Sequence, residues 1–138
     1  MKNRLPLRIA LCLALVAPLA MAAAPQQIRN AYVSEAALQQ PGFAASAQRG
    51  ERLFRQSFAI NDKMPTCTSC HTPDPLRSGE HVVTGKTIRP LAVASNGERF
   101  TDPAKVEKWF GRNCKEVVGR ACTPAEKADF VAYMSEVR

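Results

Sequence analysis

The stretch Cys67-Thr68-Ser69-Cys70-His71 (CTSCH) lies near the middle of a 138-residue chain, and how it is read decides the fold. Two thiols and an imidazole this close together serve one of three chemistries: a structural metal site, dithiol redox exchange, or covalent haem attachment. A dithiol redox motif is expected beside a βαβ pattern, which the flanking sequence does not offer. A zinc site needs a fourth ligand and usually a second paired cluster. His81 would complete a Cys2His2 set, though at a spacing that matches no common zinc signature. Haem attachment needs two thiols placed to reach two vinyl groups on one porphyrin edge, with a histidine beside them to lie under the iron. C-x-x-C-H supplies all three. The expectation is one covalent haem c on Cys67 and Cys70, with His71 as the proximal ligand.

The N-terminus supports an oxidising address. "MKNRLPLRIALCLALVAPLAMAAAPQQ" carries Lys2, Arg4 and Arg8, then an apolar run from Ile9 to Ala20, then small residues in which Ala20-Met21-Ala22 fits a cleavage site. The run is too short to cross a bilayer, so residues 1–22 read as a cleaved secretory signal and the mature chain as exported, with no stable membrane insertion. The formal charge of +7 falls to +4 once those three cations leave with the signal. A basic surface of this size can steer acidic partners, and export argues against nucleic acid. Of five cysteines, Cys12 would leave with the signal. The remaining four fit two pairs, one in the CxxCH and one between Cys114 and Cys122, because an oxidising compartment does not leave casual free thiols.

Around the motif the pattern is mostly helical with long loops. Residues 23–42, Ala/Gln-rich and ending at Pro41-Gly42, read as an N-terminal extension with helix over 28–40. Residues 43–138 read as the domain. Over 43–58, Ala47, Gly50, Leu53, Phe54 and Phe58 fall near one helical face, with Gly50 allowing a second helix to approach. From the CxxCH to about residue 100 the chain is poorly periodic and too long for casual loop, as if a large apolar cofactor organised it. Asp102 and Pro103 then start a helix with Val106, Trp109 and Phe110 on its face and Gly111 as its stop. Thr123 and Glu126 start the last helix with capping-box spacing; Phe130, Tyr133, Met134 and Val137 mark its apolar side. No acid–base cluster suggests an enzyme.

"RGERLF" and "EKADFVAYM" resemble class I c-type cytochromes over roughly residues 44–138. That resemblance implies an all-α fold wrapped around the haem, its first and last helices crossing at Gly50 near Phe54 and Tyr133. An electron carrier of that class takes its sixth ligand from a loop methionine, yet none occurs between His71 and Met134. Met134 reads as packed core within the last helix, and Met64 as too close to Cys67 to reach across the ring. His81, Lys86, Asn96, Lys105 and Asn113 remain as candidates, and His81 would make a plain bis-histidine electron carrier.

The tail "TDPAKVEKWFGRNCKEVVGRACTPAEKADFVAYM" resembles the SHP-type high-spin cytochromes c. In that family an Asn followed by a disulfide-bonded Cys is the distal ligand. Carried over, the resemblance implies Asn113 on the iron and a Cys114–Cys122 bridge that pins it. It also implies a protein that binds oxygen or nitric oxide when reduced, with a redox partner cytochrome, a dihaem cytochrome c in the family's case. An amide oxygen is a weak, neutral, hard ligand that suits ferric better than ferrous iron. The absence of methionine ligation implies a lower potential than in Met-ligated carriers.

Overall fold

A computed structural model describes residues 24–138; the signal-peptide reading of residues 1–22 and Cys12 lie outside the described residues. Each of three long helices begins with proline in its first turn, where a missing N–H costs nothing. These are α1 (Pro25–Gln39), α4 (Pro103–Val117) and α5 (Pro124–Glu136). Asp102 accepts from the Lys105 N–H at the start of α4. At α5, Thr123 and Glu126 exchange hydrogen bonds in a capping box. α2 (Ala47–Arg55) is capped by Ser46 instead.

α2 is shorter at both ends than its apolar spacing suggests. Phe58, expected on the helical face, lies beyond the C-cap; its N–H bonds to Pro65 O at 2.9 Å and its ring joins a second cluster. α4 is longer than expected. Gly111 does not stop it, because Val106, Phe110, Cys114 and Val117 continue one inward face past the glycine. The stop is Gly119, whose φ of +79° supplies the left-handed turn after the cap residue Val118. Asn113 therefore stands in the body of a helix and not at its end. Trp109, expected on the apolar face, is 42% exposed, with the Arg112 guanidinium over its ring at 5.9 Å.

α5 is the central element, with α2 and α1 both packed on it. At the α2–α5 crossing, a Cβ on Gly50 would fall 2.0 Å from the Asp129 carbonyl oxygen and 2.9 Å from Tyr133 Cβ. Only glycine permits that approach. Buried Asp129 locks the crossing from its side chain: it accepts from Ser46 N (2.7 Å), Arg49 Nε (2.7 Å) and Arg49 Nη2 (2.8 Å). A carboxylate at the start of α2 also meets the positive end of that helix. α1 joins the same core through Ile28 and Tyr32, with Ala36 buried four residues further along the same face.

The non-periodic stretch contains a small element, a hairpin of β1 (Gly79–Glu80) and β2 (Thr87–Ile88), antiparallel with Gly79 opposite Ile88. Beyond it the chain is tied by side chains and carbonyls. Arg99 donates to Pro90 O (2.8 Å) and Arg89 O (2.6 Å), Asn96 donates to Pro90 O, and Val93 N bonds to Met134 O at 2.9 Å. The described residues are mostly helical, with this one small sheet.

Candidate functional site

Cys67 to His71 form a single helical turn, α3 (Thr68–His71), with the His71 N–H bonded to Cys67 O at 3.2 Å. The turn puts both thiols and the imidazole within one short segment, and neither thiol is in a disulfide. Thr66 steadies its start by bonding Thr68 and Ser69 through hydroxyls. It ends at Thr72, a β-branched residue held at φ 60° and ψ 162°, where a side chain is strained. β1 lies directly against the turn: a Cβ on Gly79 would sit 1.9 Å from Cys70 O and 2.9 Å from His71 Cα.

The electrostatics of the turn favour neutral groups. Burial lowers the His71 pKa to about 4, with the Arg99 guanidinium and His81 adding to the effect, so its imidazole is neutral at pH 7 and keeps a lone pair for a metal. Burial also pushes the Cys67 thiol up to about 11. A redox-active dithiol carries a depressed thiol pKa, so this one is the wrong way round for that chemistry. Among the described residues no three His, Cys, Asp or Glu side chains gather as a metal-holding group, which leaves the zinc reading without its ligands.

The surroundings suit a large flat apolar group. Cys67 packs against both buried clusters of the protein. Phe58, Met64, Val93, Phe110 and Phe130 lie partly exposed on the borders of those clusters. Phe130 joins three neighbouring rings, with Phe110 at 5.6 Å, Phe54 at 6.1 Å and Phe100 at 6.4 Å. Two thiols on one turn, an adjacent neutral imidazole and an apolar border fit a covalently held haem.

α4 meets the turn through the second cluster, where Cys67 and Phe110 pack on Cys114, Val117, Val118 and Cys122. Cys114 and Cys122 are joined in a disulfide, with Cα atoms 5.6 Å apart, and both are buried. Half-buried Asn113 precedes Cys114 in this helix, so the fold brings its segment to the CxxCH. His81 lies elsewhere. It sits in the hairpin beside His71, and its Nδ1 accepts from the Val83 N–H at 3.3 Å. The imidazole is engaged in holding the hairpin, with the Thr84 N–H also reaching its Nδ1 at 3.4 Å.

The other candidates are also occupied or remote. Met134 is wholly buried, Met64 packs in the second cluster, Asn96 holds Pro90, and Lys86 and Lys105 are exposed. Arg99 went unremarked in the sequence. Its role depends on two carbonyls about ten residues upstream, which no local pattern marks.

A protein-family model described as "Domain of unknown function (DUF1924)" matches residues 40–134. The chain is 48% identical over 95 residues to "Cytochrome c-type protein SHP" of Cereibacter sphaeroides, a match covering 68% of this chain and 73% of that one. Among solved structures it resembles oxidised SHP, described as an oxygen binding cytochrome c, with a TM-score of 0.75 and 43% identity over 83% of this chain and 97% of the other. It also resembles the solution structure of Methylophilus methylotrophus cytochrome c'', which addresses haem-ligand detachment, with a TM-score of 0.70 and 37% identity over 83% and 94%. A single CxxCH on a fold shared across nearly the full length of such proteins leads to one assignment: the chain belongs to the SHP and cytochrome c'' family of c-type cytochromes and carries one covalent haem c.

Proposed function

We propose that the chain is an exported, periplasmic monohaem cytochrome that binds a diatomic gas, oxygen or nitric oxide, when reduced and exchanges electrons with another cytochrome, a dihaem one in the resembled family. Cys67 and Cys70 hold the haem, His71 is the proximal ligand, and Asn113 is a labile distal ligand. The bound haem supplies the redox centre and the gas-binding iron. The remaining work falls to the chain. Burial, with Arg99 and His81 adding to it, lowers the His71 pKa and favours the neutral imidazole that an iron ligand needs. Asn113 offers a weak amide oxygen that yields its place, where a methionine would stay. The disulfide beside it ties the end of α4 to the residue preceding the α5 cap.

The observation that carries this reading is the Asn113-Cys114 pair, on a helix packed at the CxxCH, in a chain with no loop methionine. The oxygen binding described for SHP and the ligand detachment described for cytochrome c'' support it. We read the protein as a gas-binding and electron-transfer protein, not an enzyme. Among the described residues no helix is long and apolar enough to cross a membrane.

Visible spectra of the purified holoprotein test the proposal, recorded ferric and dithionite-reduced, with and without carbon monoxide. The ferrous protein should bind carbon monoxide within mixing time. Asn113→Ala should give an open or water-ligated ferric spectrum, while His81→Ala leaves it nearly unchanged. If His81→Ala destroys a low-spin spectrum and Asn113→Ala does nothing, the protein is a bis-histidine carrier instead.

A further inference from the structure

α4 carries the proposed ligand, yet its backbone approaches no other helix as closely as α1 and α2 approach α5. Side chains hold it instead. Its C-terminal part is fixed by the Cys114–Cys122 disulfide. Nearer its N-terminus, one carboxylate gathers residues from two other helices. The Tyr32 hydroxyl of α1 donates to Glu107 Oε1 at 2.5 Å, and Lys127 Nζ of α5 donates to both Glu107 oxygens at 2.9 and 2.8 Å. The Lys127 ammonium also lies over the Tyr32 ring at 5.2 Å and the Phe110 ring at 5.9 Å, and those two rings meet edge to face.

An exposed ion pair is worth little. The Glu107 side chain is itself 52% exposed, but its two donors are not free to leave it: Tyr32 is 5% exposed and the Lys127 side chain 15%. Both donors are committed, the bonds to Glu107 are charge-assisted, and the two partners come from α1 and α5, which are packed on each other.

We propose that Tyr32 and Lys127, by clamping Glu107, are positioning residues that fix where α4 holds Asn113 and thereby set how often the sixth position is open. The role rests on Asn113 being the distal ligand. Asn113 stands between the two tethers, about 9 Å along the helix from Glu107 at the usual rise per residue. With the disulfide intact and the clamp released, the intervening segment pivots about the disulfide, and the open state gains population.

The test uses ferric holoprotein and its apparent affinity for cyanide, which must take the place of Asn113. Tyr32→Phe keeps the ring packing and deletes one hydrogen bond; Glu107→Gln deletes the charge at the clamp. Each should tighten the apparent cyanide dissociation constant by about fivefold, the shift that follows when one ordinary hydrogen bond favouring the closed state is lost. Arg49→Gln is the control: it weakens the α2–α5 crossing without touching α4, and it should lower the melting temperature while leaving cyanide affinity within about twofold.

If Tyr32→Phe and Glu107→Gln lower the melting temperature but match the control in cyanide affinity, while Asn113→Ala tightens it, the clamp is only structural and the inference is overturned. If Asn113→Ala leaves cyanide affinity unchanged, the ligand reading itself fails and the positioning role falls with it.

Discussion

The same substitution should have opposite signs at two helical glycines. Alanine is favoured over glycine inside a helix by about 1 kcal/mol, and both Gly50 and Gly111 lie within helices, α2 and α4. At Gly111 a Cβ meets nothing within 4 Å, so the propensity gain stands alone. At Gly50 the Cβ would fall 2.0 Å from Asp129 O and 2.6 Å from Asp129 C, where ordinary contact begins at 3.4 Å. The two helices must then separate by about 1.4 Å, and a gap of 0.5–1 Å already forfeits about a quarter to a half of a contact's dispersion energy. Phe54 loses packing in this way, since it is wholly buried and its ring lies 5.9 Å from that of Tyr133. Overpacking costs about 1–3 kcal/mol, and the Asp129 bonds to Ser46 and Arg49 are strained by the same movement.

Because the clash is with backbone, the upper end of that cost applies; subtracting the propensity gain, Gly50→Ala should destabilise by about 2 kcal/mol and Gly111→Ala should stabilise by about 0.5–1 kcal/mol. Urea unfolding of the haem-loaded protein, followed by far-ultraviolet circular dichroism at pH 7, measures both. The Gly50→Ala melting temperature should fall by about 6–10 °C. A Gly50→Ala protein as stable as wild type, or more so, would refute the close approach of α2 and α5.

Two further outcomes follow from named contacts. Replacing Cys114 and Cys122 together with Ala should cost about 2.5 kcal/mol, the chain-entropy value for a loop of this length, and unchanged urea stability would show that the bridge does not constrain the unfolded chain. The Glu126 carboxyl is held below its usual pKa, chiefly by its hydrogen bond from Arg120, with the Thr123 N–H assisting and burial opposing. A depressed carboxylate stabilises the fold above its unfolded pKa and loses that contribution as pH falls through the folded one. Glu126→Gln should therefore lower the melting temperature at pH 7, by an amount corresponding to less than about 1 kcal/mol, and the gap to wild type should narrow as the pH falls below the ordinary carboxylate range. A gap that stays constant on acidification would sink the charge explanation.

The motif, the caps and the Gly50 crossing were legible because each is local. CxxCH needs five consecutive residues, a capping box needs four, and a small residue on an apolar face marks a close approach wherever it stands. Gly111 misled for the same reason. A glycine after an apolar face looks like a stop, but Cys114 and Val117 continue the buried face beyond it, and neither reads as helix core until the disulfide is in place. Trp109 misled because a helical face is assigned by angle, and its ring falls at the edge of the stripe defined by Val106, Phe110 and Val117, where it is partly exposed.

The position of Asn113 was the least accessible to local reading. Its identity as a ligand candidate came from one residue type beside one cysteine and from a resemblance. On the proposed reading one of the two tethers that place it is not near it in sequence: Tyr32 reaches Glu107 from 75 residues away, and Lys127 from 20 residues on the other side. A strong ligand such as a thioether tolerates a loose loop, because its affinity for iron supplies the order. A weak amide cannot order its own backbone, so on the proposed reading the order has to come from the scaffold. A helix tethered at one end by a disulfide and near the other by a buried phenol and an ammonium meets that requirement. That is the physical reason for the proposed ligand to sit on α4; the disulfide could be read from the cysteine beside Asn113, whereas the Tyr32–Glu107–Lys127 clamp could not.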